Sequence, residues 1–167
     1  MQIRTLTGTD AAAFRDFRLA ALESEPEAFG ESADEHRRTP VENLAERLRG
    51  GGAENFVLGA FDGSALMGVV GFYRDLRVKR RQRGWIWGMF VAPEWRGHGV
   101  GRALLEEAIA RARSIDGLRF VLLSVSSTQG AARRLYGQIG FRVFGTEPDA
   151  LQVGNGFLDE DHMVLRL

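Results

Sequence analysis

Apolar and polar residues along the chain switch between two periods, and each switch marks an element. Gln2 to Leu6 alternates and fits an opening strand. Asp10 then stands as N-cap to a helix whose Phe14, Phe17, Ala21 and Leu22 recur on one face, and Pro26 ends it. The acidic segment Glu27 to Glu35 is helical in part. Thr39-Pro40-Val41-Glu42 has the form of a capping box with proline at the first helical position, opening a short helix that stops before the connector Gly50-Gly51-Gly52. Phe56 to Phe61 and Ala65 to Tyr73 read as strands joined across Asp62-Gly63-Ser64, a hairpin signal. Gly84 to Val91 gives the next strand. From Gly99 a helix carries Val100, Leu104, Ala108 and Ala112 on one stripe with Leu105 and Ile109 beside it, and Arg111 and Arg113 suit its negative end. Leu118 to Val125 is a buried strand, a further helix follows, and Phe141 to Phe144 and His162 to Leu167 close the sheet. That order makes an α+β sheet sandwiched by helices, in one domain spanning residues 1–167.

Composition narrows the function classes. At 167 residues and 44% apolar content the chain can bury a core, and Lys+Arg and Asp+Glu balance at 22 each. No global field then favours nucleic acid or an anionic membrane, and no apolar run approaches the roughly 18 residues that span a bilayer. The opening Met1-Gln2-Ile3-Arg4 lacks the pattern of a signal peptide, so cytoplasm is the expected location. Without cysteine there are no disulfides, thiolate metal sites or Cys nucleophile, and without H-x-x-x-H or H-x-x-E-H spacing no metal site is expected.

The most informative stretch joins the strand ending at Met89-Phe90-Val91 to the helix through Arg96-Gly97-His98-Gly99-Val100-Gly101-Arg102. Glycines at alternate positions remove side chains that would hold an anion off the backbone, so N–H groups at the helix start can point at phosphate. Arg96 and Arg102 can add charge-assisted hydrogen bonds. A plain tight turn is the other reading. Arg102 stands where a Rossmann fingerprint needs its third glycine, and no P-loop is present. The hexapeptide Arg96 to Gly101 resembles the R/Q-x-x-G-x-G/A pyrophosphate loop of the GNAT superfamily of acetyl-CoA-dependent N-acetyltransferases. Ala132 to Phe141 is similar to that family's A-x-x-L-Y-x-x-x-G-F segment. Gln129 departs from the pattern, since the family often has Asn there in contact with the pantetheine arm.

The resemblance implies a sheet of six to seven mostly antiparallel strands with about four helices, whose fourth and fifth strands splay around acetyl-CoA as co-substrate. It implies cofactor contacts from Met89, Phe90, Val91, Arg96, Gly97, His98, Gly99, Val100, Gly101, Arg102, Gln129 and Tyr136. It also implies that Tyr136 is the general acid, because a phenol with an ordinary pKa near 10 holds a proton it can pass to a departing thiolate. Packing of Tyr136 against the sheet is the plainer alternative. No carboxylate stands on the strand Trp85 to Met89, so the base is open, with Glu31, Glu35 and Glu54 as candidates. His98 reads as a loop-surface side chain, and His36 and His162 are isolated.

Arg74, Arg77, Lys79, Arg80, Arg81 and Arg83 read as a solvated hairpin tip or as a docking patch for an acidic acceptor. Trp85, Trp87, Phe29 and Tyr73 either line an acceptor pocket or fill the core. Three function classes follow: an N-acetyltransferase acting on a primary amine, whether small molecule or protein N-terminus; a non-catalytic acyl-CoA sensor on the same fold; and an interaction domain in which the glycine loop is only a turn. A homodimer is open.

Overall fold

The computed structural model describes all residues, Met1–Leu167. Its seven strands are β1 (Gln2–Thr5), β2 (Asn55–Asp62), β3 (Ala65–Arg74), β4 (Arg83–Val91), β5 (Phe120–Ser126), β6 (Arg142–Val153) and β7 (Gly156–Arg166). Five α-helices accompany them: α1 (Ala11–Ser24), α2 (Ala33–Arg38), α3 (Val41–Arg49), α4 (Val100–Arg113) and α5 (Gly130–Ile139). The strands form one sheet in the order β1-β2-β3-β4-β5-β7-β6, antiparallel throughout except for β4 against β5. This is the expected α+β architecture; α2 begins in the acidic segment read as partly helical and runs on to Arg38, which makes five helices where the resemblance implied about four.

The sheet separates two cores. On one face Leu104, Leu105, Ala108 and Ala112 of α4 pack on Leu58, Val70, Phe72 and Val121. On the other, Ala11, Phe14 and Ala21 of α1 and Leu44 and Leu48 of α3 cover Val57, Val69 and Phe90. The alternation along β2 and β3 feeds both, which is why these strands read as continuous apolar runs.

Several local expectations change. Asp10 precedes α1 but caps nothing in it; its carboxylate takes the Thr7 N–H at 2.7 Å and a fork from Arg4 at 2.7 and 2.8 Å, closing the turn before the helix. No capping box forms at Thr39, whose place is taken by Pro40 with no side-chain cap. The reciprocal cap is Ser32 with Glu35, opening α2. The closing hairpin is far longer than Phe141 to Phe144 and His162 to Leu167. Pro148 is tolerated because β6 is an edge strand, and a register shift between Glu147 and Leu151 absorbs it, with Asp149 at φ 53° donating its N–H to Asp159.

β4 carries a bulge. Its register against β3 shifts between Val69 and Gly71, so Gly88 and Met89 together face Val70, and Gly88 sits at φ 60°. Gly88→Ala should cost about 1–3 kcal/mol through the left-handed backbone, read as a lower midpoint in urea; an unchanged midpoint refutes this. Asp10→Asn should cost about 1–2 kcal/mol as the forked pair with Arg4 is lost. Arg4 holds the Asp10 carboxyl well below the ordinary carboxylate range, so this stabilisation is complete above the unfolded-state pKa near 4 and fades as pH falls below it. The gap between wild type and Asp10→Asn should therefore close in acid denaturation profiles.

Candidate active site

Pairing between β4 and β5 lasts three residues, Arg83 with Phe120, Gly84 with Val121 and Trp85 with Leu122. Beyond that rung the bulge at Gly88 turns β4 away, and a cavity of about 470 Å³ opens between the strands. The expected splay is thus present, and the edge of Met89, Phe90 and Val91 facing β5 has no strand partner.

The glycine turn closes one end of this cavity. Gly97 and Gly99 have φ of 78° and 80°, and a Cβ on either would meet nothing within 4 Å, so backbone torsion alone demands glycine there. Gly101 differs: it is helical, and a Cβ would lie 3.2 Å from Met89 Cε with Leu135 and Val91 at 3.5 Å. It lets α4 sit close on β4 while still bordering the cavity. The first intrahelical bond runs from Ala103 N–H to Gly99 O at 3.0 Å, leaving the N–H groups of the first turn of α4 without helix partners.

Of the twelve residues expected to hold the cofactor, the cavity wall includes all except His98. His98 turns away, its Nδ1 2.9 Å from the Arg96 carbonyl and its ring edge-on to Trp95. Arg96 lines the cavity but has partners: Nε donates to Val91 O at 3.0 Å and the guanidinium pairs with Glu25 at 2.5 Å. Arg102 donates to Gln138 at 2.6 Å and to Glu106 at 3.3 Å. Gln129 borders the cavity at the N-cap of α5, with its side chain capping nothing.

Tyr136 stands on α5 with its ring edge-on to Phe141, 7% exposed, in the cavity wall. Burial pushes its phenol up to about 12, so it keeps its proton across the physiological range.

The candidate bases lie outside the cavity wall, each engaged elsewhere. Glu31 joins the buried Arg18 at 3.3 Å and the buried His36 at 3.1 Å. Glu35 caps α2, and the Ser32 backbone and hydroxyl hold its carboxyl below the ordinary value. Glu54 pairs with Arg74 at 2.5 Å and Arg81 at 3.2 Å. Of the basic segment only Arg74 is buried; Arg77, Lys79, Arg80 and Arg81 are exposed as a solvated tip would be, with Arg77 reaching back to the buried Asp75 at 2.8 Å.

Trp87 and Phe29 line the cavity, whereas Trp85 and Tyr73 do not. Among the lining residues that escaped sequence reasoning are Glu25, Ser124 and Gly88. Glu25 enters because α1 ends beside the glycine turn, which no spacing announces. Ser124 is visible as a polar residue between Leu123 and Val125 in the apolar run of β5, and Gly88 as a glycine inside a strand pattern, a usual mark of a bulge.

Comparison with known proteins agrees with this architecture. The acetyltransferase (GNAT) family profile matches residues 17–141. L-methionine sulfoximine/L-methionine sulfone acetyltransferases of Pseudomonas paraeruginosa and Pseudomonas aeruginosa are 32% identical over 102 residues, a match that spans 59% of this chain and 59% of those relatives. A GNAT-family acetyltransferase structure from Streptococcus pneumoniae superposes with a TM-score of 0.89 at 26% identity, covering 99% of each chain. The yncA protein of Salmonella typhimurium, solved with its cofactor acetyl-CoA, gives a TM-score of 0.83 at 25% identity over 100% of this chain and 94% of its own. The profile match across most of the chain, laid on a splayed sheet with a glycine-opened helix at its mouth, shows that the chain belongs to the GNAT acetyltransferase family.

Proposed function

We propose that this chain transfers the acetyl group of acetyl-CoA to the primary amine of a small, carboxylate-bearing acceptor, by direct attack with both substrates bound. The observation that carries this reading is convergence on one cavity: a helix N-terminus opened by Gly97 and Gly99, an unpaired edge of β4, and the buried Tyr136. Acetyl-CoA brings an activated acyl thioester. The helix start of α4 suits its pyrophosphate, and the free edge of β4 suits the extended pantetheine, which pairs like an added strand. Tyr136 is placed to protonate the leaving thiolate.

The acceptor class is supported by two arginines packed behind the Phe29, Trp87 and Gly88 side of the cavity wall. Arg18 lies over the Phe29 ring at 4.3 Å, and its Nη1 is buried without a partner, 3.4 Å from where a Cβ on Gly88 would stand. Arg47 lies 6.0 Å from the Trp87 ring centre. Burial, opposed by Glu31 and assisted by Arg47, lowers the Arg18 pKa, so an anion placed there would be favoured. The Pseudomonas relatives are named for amino-acid acceptors of that kind.

Acetyl-CoA should raise the melting temperature of the protein through preferential binding to the native state. Gly99→Val should lower its affinity at least about tenfold, because a branched side chain resists positive φ and turns the loop N–H groups away. Gly101→Ala, which crowds only the flexible end of Met89 and meets Leu135 and Val91 at ordinary contact distance, should stay within about threefold. Calorimetry showing equal affinity in folded Gly99→Val excludes the loop as the phosphate site.

Tyr136→Phe should leave acetyl-CoA affinity unchanged and lower turnover by about 10²–10⁴. With the phenol pushed up to about 12, ionisation of Tyr136 should give wild type no alkaline limb below about pH 10. Thiol release measured with amino acids, amines lacking a carboxylate, and N-terminal peptides decides the acceptor: preference for amines without a carboxylate, or for peptides, overturns the assignment. Tight acetyl-CoA binding with no thiol release for any amine identifies the sensor instead.

A further inference from the structure

β4 brings no carboxylate to the cavity, whereas β5 brings a hydroxyl. Ser124 lies beyond the last rung shared with β4, and it borders the same cavity as Tyr136. Its register partner on β7 is His162, whose Nδ1 is 2.9 Å from Ser124 Oγ. Behind it, His162 Nε2 is 3.0 Å from Glu147 Oε2 on β6. Three side chains from three adjacent strands therefore line up from the cavity outward.

The direction of the hydrogen bonds follows from the donor inventory. A carboxylate only accepts, so the ring proton sits on Nε2 and the Nδ1 lone pair faces the Ser124 hydroxyl. Glu147 fixes that tautomer and favours the imidazolium that forms when Nδ1 takes a proton. Phe144 packs at 6.0 Å against the ring and restricts its rotation. Glu160, whose carboxyl burial raises and His162 lowers, is the second acid coupled to the ring. Asp161 is engaged elsewhere, with Thr146 at 2.7 Å and Arg133 at 2.6 Å.

We propose that Ser124, His162 and Glu147 form the relay that removes the proton from the acceptor amine. The inference rests on the acetyl-transfer reading above. The amine arrives as ammonium and gives one proton to Ser124 Oγ while the Ser124 proton passes to His162 Nδ1. The freed lone pair forms the N–C bond, the C–S bond breaks with its electron pair on sulfur, and Tyr136 protonates that sulfur. The second proton of the amine restores the Tyr136 phenol, and the proton on His162 leaves to solvent, where the ring is 27% exposed. The balance is one ammonium and one thioester in, and one amide, one thiol and one proton out. Ser124 is the catalytic residue of the three, and His162 and Glu147 act through it.

Steady-state kinetics on the best amine separates this from a structural role. Ser124→Ala and His162→Gln should each lower kcat about 10²-fold at neutral pH, with the amine KM and acetyl-CoA affinity within about threefold of wild type. Ser124→Thr, which keeps the hydroxyl, should recover most of the rate. Raising pH toward about 9.5, where more amine is neutral unaided, should narrow both deficits. Wild-type turnover matched by Ser124→Ala or His162→Gln overturns the relay alone, as does a deficit that pH leaves unchanged. Wild type that releases no thiol with any amine overturns the acetyl-transfer reading and the relay with it.

Discussion

Two neighbouring parallel strands that stayed paired to their ends would leave no room for a ligand between them. Here β4 and β5 share three residue pairs, and the extra residue at Gly88 then bends β4 away while β3 continues to hold it on the other side. The left-handed torsion of Gly88 is what makes the bend possible, and the cavity, the free edge of β4 and the exposure of Ser124 all follow from it. The glycine turn after Val91 repeats the device at the mouth, where Gly97 and Gly99 reverse the chain so that α4 begins against the same opening.

The neutral formal charge of the chain hides a set of ion pairs that tie helices and loops to this frame. Arg96 links the glycine turn to Glu25 at the end of α1, and Arg74 links the end of β3 to Glu54. Arg18 and His36 share Glu31, joining α1 and α2 over the bulge. The planar, always-charged guanidinium suits such buried and forked contacts better than lysine, and Lys79 is the one lysine of the chain, exposed at the loop before β4. Breaking one partner of the Arg18 pair leaves a desolvated charge, so these pairs fix geometry more than they add stability.

Under the proposed mechanism the two proton-handling groups sit in opposite environments. Tyr136 is buried and its phenol keeps its proton. The chain Ser124, His162 and Glu147 runs from the cavity toward solvent, so a proton accepted inside has a way out. One group holds a proton for the sulfur and the other carries one away from nitrogen, which is the separation of pKa environments that acid–base chemistry in one site needs.

Local pattern by itself determined much of this protein. The stripe on α4, the apolar runs of β2 and β3, the glycine turn and the Leu135-Tyr136 segment are read over a few consecutive residues, because helix and strand periods and torsional demands are local. What only the tertiary structure decided depends on residues far apart in the chain. Asp10 left its helix for Arg4, Glu54 went to Arg74, and Gly101 came to lie against Met89 of β4. Ser124, Glu147 and His162 looked unrelated, since strand order and register, which place β7 between β5 and β6, are set by the global packing of the sheet and leave no spacing rule in the sequence.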